Sequence, residues 1–497
     1  MTRVLVGLLA AGLIAAAPAA AFTPTDPYYP KQWYLDQDHA FDAWATPPPT
    51  LAPVKVALVD SGVDCSLPDL NGRIAAVRSF VGGDACTDTE GHGTLVAGEI
   101  AGNLDSTGIV GIAYSAQLLV AKVVKPDGNI PLQAESDAIR WAVDEGAQVI
   151  NLSLGGVRDP AHPDRDTFSA LEADSVAYAY AHGAVVVAAV GNSDDAYATP
   201  WPYASYPAAL PHVLGVGALT RTGNVPDFSD RDPVYVDLAA PGVDIYSIFP
   251  GALTSERIGC APQGFTDCAT DEYRHAEGTS FAAPQVAAAA AVLFAVAPTL
   301  SNSQVQTILE HTADDVNAAT GCRQCPLGRD NYSGWGRLDV AKAVALATSG
   351  GTIPDPDFAE TNDNAGTQAY ALWGSTRKVE ATIDYYDDPV DVYKVLIRKG
   401  ERLKAELTGG WTGANLSVVL WRPGTTEVRN GRDATTMRAA QSIAIGATQR
   451  LTYAAPTQGW YYVEVKVSSA GGGSYELQLA KATPKTKAKP KPAKKKS

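Results

Sequence analysis

From about Val54 to Ala347 the chain alternates short apolar runs with segments of helical pattern, and few architectures accept that alternation. The runs are VKVALVD (54–60), QLLVAKVV (117–124), AQVINLSLG (147–155), AVVVAAVG (184–191) and HVLGVGAL (212–219). They are rich in β-branched residues and apolar on both sets of alternating side chains, as strands are when helices cover both faces of a sheet. Helical patterns lie between them near 92–102, 134–145 and 168–182. The pattern predicts an α/β fold, a doubly wound parallel sheet with right-handed crossovers. The segment TSFAAPQVAAAAAVLFAVAP (279–298) reads as a buried helix. Its Pro284 is expected in or near the first turn, where a missing N–H is tolerated.

The texture changes after TSGGTIPDPD (348–357), a Gly- and Pro-bearing linker. Beyond it come alternating runs: DVYKVLI (391–397), RLKAELT (402–408), LSVVLWR (416–422), WYYVEVKV (460–467) and SYELQLA (474–480). Period-two alternation with turn residues between runs predicts a small all-β sandwich over 358–480. The end, 481–497, is a Lys/Pro/Ala stretch that lacks the apolar residues for a core and is expected to be disordered. Eight of the lysines fall in it, so the rest of the chain is more acidic than the overall net charge of −15 indicates. An acidic body excludes nucleic acid as a natural partner, because phosphates are repelled. The basic tail can contact anionic surfaces electrostatically.

Residues 1–21 carry Arg3, an apolar run from Val4 to Ala17 and a small-residue end, Ala19-Ala20-Ala21. That is the pattern of a secretory signal peptide. The run is short of the roughly 20 residues a membrane span needs, although an uncleaved anchor is the alternative. No later stretch is expected to span a membrane. Six cysteines behind such a segment suggest disulfides. They allow 15 connectivities. Nearest-neighbour pairing, 65–86, 260–268 and 322–325, is the expectation. Half of a zinc site at Cys322 and Cys325 is the alternative, and no second pair or nearby histidine supports it.

Four motifs put reactive side chains where strands end and helices begin, the place where sites gather in open α/β sheets. VALVDSGVD puts Asp60 at the end of a buried strand, and GHGTLVAG puts His92 at a helix start. AAVGN puts Asn192 just after a strand, and GTSFAAP puts Ser280 at the start of the long helix. Together these residues supply what acyl transfer needs. A serine hydroxyl becomes a nucleophile when a base takes its proton. Histidine titrates near neutrality, and a buried carboxylate fixes its tautomer. An asparagine amide and a helix N-terminus can meet the developing oxyanion. Asp64, in the same loop as Asp60, reads as structural.

The order Asp, His, Ser and the residues around each make the stretch from Tyr28 to Ala347 resemble the subtilisin-like (subtilase) serine proteases. The matching segments are DSGVD, GHGTLVAG, SLGG (153–156) and GTSFAAP. The resemblance implies Asp60, His92 and Ser280 as catalytic residues, Asn192 as oxyanion donor, and a protease domain over 22–347. It also implies that Ser153, Leu154 and Gly155 form one edge of a cleft that pairs with an extended peptide, with Gly128 on the opposite edge. Main-chain pairing of that kind is sequence-tolerant and leaves specificity to side-chain pockets. No cofactor is required for this chemistry; structural Ca²⁺ is compatible with the resemblance, but the sequence places no site.

Two positions depart from the family pattern. Phe281 follows Ser280 where Met is common, and Gln285 stands where a second His is common. Segment 358–480 resembles the bacterial pre-peptidase C-terminal domain, through ETNDN (360–364), IDYYDDPVDVYKV (383–395) and APTQGWYYVEV (455–465). Its acidic group, Asp384, Asp387, Asp388 and Asp391, reads as a solvated turn, with Ca²⁺ binding through oxygen ligands as the alternative. The expectation is a secreted bacterial endopeptidase, monomeric, acting on protein or peptide substrates. The alternative from another class is a non-catalytic surface-binding protein that keeps the fold.

Overall fold

The computed structural model describes residues 21–193, 196–254, 272–350, 359, 362–385, 388–411, 413–428 and 436–482. The signal segment up to Ala20, Cys260 and Cys268, Asp387, most of the linker and the tail beyond Ala482 lie outside the described residues.

A short helix, α1 (Trp33–Gln37), precedes the sheet. Strands β1 (Lys55–Asp60), β2 (Ile74–Ser79), β3 (Gln117–Lys122), β4 (Val149–Leu152), β5 (Val185–Ala189), β6 (Val213–Leu219) and β7 (Leu238–Pro241) form a seven-stranded sheet in the order β2-β3-β1-β4-β5-β6-β7. Every neighbouring pair in it is parallel. The strand order reverses between β1 and β4, which opens a crevice at their carboxyl ends. Helices α2 (His92–Ala101), α3 (Leu132–Asp144), α4 (Ala170–Ala181), α5 (Thr279–Val296), α6 (Asn302–Thr312) and α7 (Val340–Thr348) complete the layers. A two-stranded ribbon, β8 (Ile245–Ile248) with β9 (Tyr273–Ala276), lies before α5.

The alternation within β1 explains both layers. Val56 and Leu58 point into a core shared with α2, α5, α6 and α7. Ala57 and Val59 point the other way, against α3 and α4. Helix α5 is the one helix among the described residues long and apolar enough to cross a membrane, but it is packed in the core, as the sequence predicts. Pro284 is the exception to that reading. It is the sixth residue of α5, inside the helix rather than in its first turn.

The C-terminal part is all β, with β10 (Tyr370–Leu372), β11 (Thr376–Asp384), β12 (Val390–Ile397), β13 (Arg402–Gly409), β14 (Leu416–Trp421), β15 (Arg438–Ser442), β16 (Thr448–Ala454), β17 (Gly459–Val467) and β18 (Gly472–Ala482). They form a five-stranded sheet, β10-β12-β17-β14-β15, and a four-stranded sheet, β11-β18-β13-β16. Alternate residues of both sheets, such as Val379, Ala381, Tyr393, Leu403, Val463 and Leu477, share one core. His212 of the α/β part meets Asp363 at 3.1 Å, both buried, and Tyr180 stacks on the His212 ring. Asp391, expected in a solvated acidic turn, is buried on β12 and accepts a hydrogen bond from the Tyr475 hydroxyl at 2.8 Å.

Candidate active site

Asp60 ends β1 and is buried. Its carboxylate meets His92 Nδ1 at 2.8 and 3.0 Å, and Oδ1 also accepts the Ser61 N–H at 2.7 Å. An acceptor on Nδ1 means that this nitrogen carries the proton, which leaves Nε2 as the basic atom. Burial works to lower the His92 pKa. The charge and hydrogen bond of Asp60 outweigh it, with Asp88 and Glu90 adding, so the imidazole stays above its ordinary value.

The glycines on either side of His92 have separate reasons. Gly91 has φ +89°, and a Cβ there would lie 2.2 Å from the Phe249 ring. A Cβ on Gly93 would lie 2.2 Å from the Gly62 carbonyl and 3.1 Å from Asp60, so only glycine lets α2 approach β1 this closely. Asp88 holds the helix entry. It accepts from the backbone N–H groups of Glu90, Gly91 and Thr94 and from the Thr94 and Ser61 hydroxyls. Sequence reasoning missed Asp88, which lies three residues before the N-cap Gly91 and so outside the position where a capping side chain is expected. A disulfide, Cys65–Cys86, ties the loop after β1 to the loop before α2, and a second joins Cys322 and Cys325. Both agree with nearest-neighbour pairing; the 260–268 pair lies outside the described residues. Asp64 is a turn residue whose Oδ1 accepts from Ser66.

Ser280 is the second residue of α5. Asn192 follows β5, and its Oδ1 accepts from the Thr279 N–H at 3.0 Å and the Thr279 hydroxyl at 3.1 Å. With Oδ1 engaged, the amide turns its Nδ2 donor to the other side. Thr279 is therefore the residue that orients Asn192, a second contact that sequence reasoning missed. Among the described residues no hydrogen bond joins Ser280 Oγ to His92; such bonds are often long in the absence of substrate. The Phe281 ring lies 5.2 Å from the His92 ring, centroid to centroid.

Ser153 has a role that its place in SLGG does not reveal. Pro284 has no N–H, so the Ser280 carbonyl, four residues earlier, has no helical partner. Ser153 Oγ donates to that carbonyl at 2.7 Å and accepts from Asn151 Nδ2 at 2.9 Å. The backbone of 153–156 runs on to pair with Tyr206 through Gly156. One cleft of about 590 Å³ is lined by Asp60, His92, Gly128, Ser153, Leu154, Gly155, Asn192 and Ser280, so all eight residues singled out from the sequence meet there. The described acids at its wall include Glu90 and Glu277.

The family model for the subtilases matches residues 52–336. The chain belongs to the subtilase family. Its α/β part carries the resemblance. Subtilisin DY of Bacillus licheniformis is 36% identical over 294 residues, covering 59% of this chain and 91% of that protein. Thermitase of Thermoactinomyces vulgaris is 34% identical over 326 residues, 65% of this chain and 99% of its own. Among solved structures, a protease from Pseudoalteromonas arctica PAMC 21717 matches 66% of this subtilase and 100% of its own chain, at 25% identity and a TM-score of 0.52. This subtilase is accordingly a serine endopeptidase of the subtilisin type.

Proposed function

We propose that this subtilase is a secreted bacterial endopeptidase that hydrolyses peptide bonds of protein substrates through Asp60, His92 and Ser280. The observation that carries the reading is the two-oxygen contact of Asp60 with His92 Nδ1 in the cleft that Ser280 also lines. A substrate strand lies along Ser153-Leu154-Gly155, with Gly128 opposite. Ser280 Oγ attacks the scissile carbonyl while His92 Nε2 takes its proton, and Asp60 stabilises the imidazolium. The oxyanion receives the Asn192 amide and a backbone N–H at the N-terminal end of α5. His92 then protonates the leaving amine, which departs and leaves an acyl-enzyme. Water, deprotonated by His92, releases the acyl group and restores Ser280.

The same reading divides the chain into a signal peptide (1–21), a protease domain (22–347), a linker (348–357), a β-sandwich of the pre-peptidase C-terminal type (358–480) and a basic tail (481–497). The chemistry takes no cofactor. Structural Ca²⁺ is common among subtilases, and the loop 103–109 is where the described residues fit it. Asp26 Oδ1 accepts from Asp105 N and Ser106 N, while its Oδ2 is buried without a hydrogen-bond partner. Asp69 accepts the Ile109 N–H and the Tyr273 hydroxyl. Burial pushes the carboxyls of Asp26 and Asp69 up, and the nearby charge of Asp105 adds to both. Clustered acids with an orphaned oxygen suit a hard cation with oxygen ligands. Asp26, through its orphaned oxygen, and Asp69 would hold it; Asp105 Oδ1 is taken by the Thr107 N–H and hydroxyl, and the three acids do not bring their oxygens together as His39, Asp314 and Asp339 bring their ligand atoms. The group His39, Asp314 and Asp339 fits less well, because Arg337 and Lys342 already neutralise Asp314.

The test uses the parent and its Ser280→Ala variant, each incubated with casein and with a fluorophosphonate label. Cleavage and labelling by the parent alone support the reading. Folded parent protein that does neither refutes it and favours a binding protein that keeps the fold.

A further inference from the structure

Helices α2 and α5 start with His92 and, one residue in, Ser280, and they pack directly against each other in the core. The residues buried around that contact are almost wholly apolar, among them Leu95, Val96 and Ile100 of α2 and Phe281, Val286 and the alanines of α5. Apolar burial is non-directional. Apolar packing alone therefore leaves the sliding and rotation of one helix on the other weakly specified. Among the described residues one hydrogen bond crosses between the two helices, from Gln285 Nε2 to Glu99 Oε2 at 3.1 Å, and neither residue is exposed to solvent. The same amide nitrogen reaches the Pro241 carbonyl at the end of β7 at 2.8 Å and the Phe281 carbonyl at 2.7 Å. Gln285 thus ties its own helix to the sheet and to α2 at one point. At 1.5 Å per residue that point lies about 10 Å along α2 from His92 and about 7.5 Å along α5 from Ser280.

We propose that Glu99 and Gln285 are positioning residues: their buried hydrogen bond sets the register of α2 against α5, and with it the placement of His92 relative to Ser280. The proposal rests on the protease reading and adds residues to it. A single buried polar contact that selects one register among several apolar ones is an established use of such groups. The Glu99 carboxyl is wholly buried. Burial pushes it far above the ordinary carboxylate range; the Gln285 bond draws it back and the Asp38 charge pushes it further up. Tyr34 is the other titratable group that feels its charge. An amide has the shape of the carboxyl and keeps an oxygen that can accept from Gln285, which gives a clean test.

The experiment compares the full chain with Glu99→Gln and Glu99→Met, measuring kcat and KM on a chromogenic peptide, fluorophosphonate labelling of Ser280, and thermal stability. Glu99→Gln keeps an acceptor for Gln285, and its kcat is expected within about twofold of the parent. Glu99→Met fills the same space without an acceptor, and its kcat is expected to fall roughly 10- to 100-fold with KM little changed, the scale set by small misplacements of catalytic groups. Its Tm should hold or rise, because a buried ionisable group is gone. A purely structural role predicts the opposite, a lower Tm and an unchanged kcat, and that result would overturn the proposal. Equal loss in both variants would also overturn it, and should Glu99→Met not fold, a Glu99→Gln kcat well below the parent's would do so alone. A folded parent with neither turnover nor labelling would refute the protease reading itself and the pair's role with it.

Discussion

The Ser153 hydroxyl is placed to repair a defect that Pro284 makes in the nucleophile helix, and Ser153→Ala exposes that defect. The Ser280 carbonyl loses its side-chain donor, the 2.7 Å bond from Ser153 Oγ, and the Asn151 amide loses its acceptor at 2.9 Å. A partly buried acceptor left without a partner costs about 1–3 kcal/mol. For a domain of this size each kcal/mol moves Tm by about 2 °C, so a fall of roughly 2–6 °C is expected. The measurement is scanning calorimetry on a Ser280→Ala background, which prevents self-digestion. Stability alone does not prove the cause, so a double-mutant cycle with Pro284→Ala is the decisive step. Alanine at 284 restores an N–H that can donate to the Ser280 carbonyl. The cost of Ser153→Ala should then shrink by about 1 kcal/mol or more, a coupling within the range for residues that share a partner. A Ser153→Ala cost that is the same in both backgrounds, or absent from both, would refute the reasoning.

Three further outcomes follow from the site. Glu90 raises the His92 pKa through its charge; Glu90→Gln removes that help, so the imidazole stays neutral to lower pH and the acid limb of kcat/KM should move down in pH, whereas no movement or an upward one counts against the assignment. Phe281 puts an aromatic ring, not a thioether, beside Ser280 and His92, so dilute peroxide should leave activity intact and Phe281→Met should make it sensitive by sulfoxide formation; rapid loss in the parent with Met437 intact would contradict this. A calcium chelator should lower Tm by removing ligand that binds only the folded state, and Asp26→Asn should abolish most of that response; a parent Tm indifferent to chelator and to added Ca²⁺ would dismiss the loop 103–109 as a cation site.

The strands and helices that carry the cleft were legible because their burial is extreme. Runs such as AVVVAAVG and QLLVAKVV have both faces covered, and their boundaries shifted by only one to a few residues in the structure. Edge elements were not legible for the converse reason. Strand β2 alternates weakly between half-buried and exposed, and β15, Arg-Ala-Ala-Gln-Ser, has no strong apolar residue to mark it. The reactive side chains were legible because chemistry restricts their identity and glycines restrict their neighbours: Gly93 is required where α2 approaches Asp60. The groups that hold those side chains were harder to read. Thr279 and Ser153 act on groups distant in sequence, the Asn192 amide and the Ser280 carbonyl, and a serine or threonine that does so looks like any other in a motif, while Asp88 holds the backbone of its own loop from outside the cap position. Pro284 shows the limit most clearly. Its missing N–H was visible in the sequence, but its position inside α5 makes the orphan the carbonyl of Ser280 itself, and the donor that answers it comes from 127 residues away. What decides the geometry of this site is thus carried by pairs, Pro284 with Ser153 and Glu99 with Gln285, whose members have no local signature until the fold brings them together.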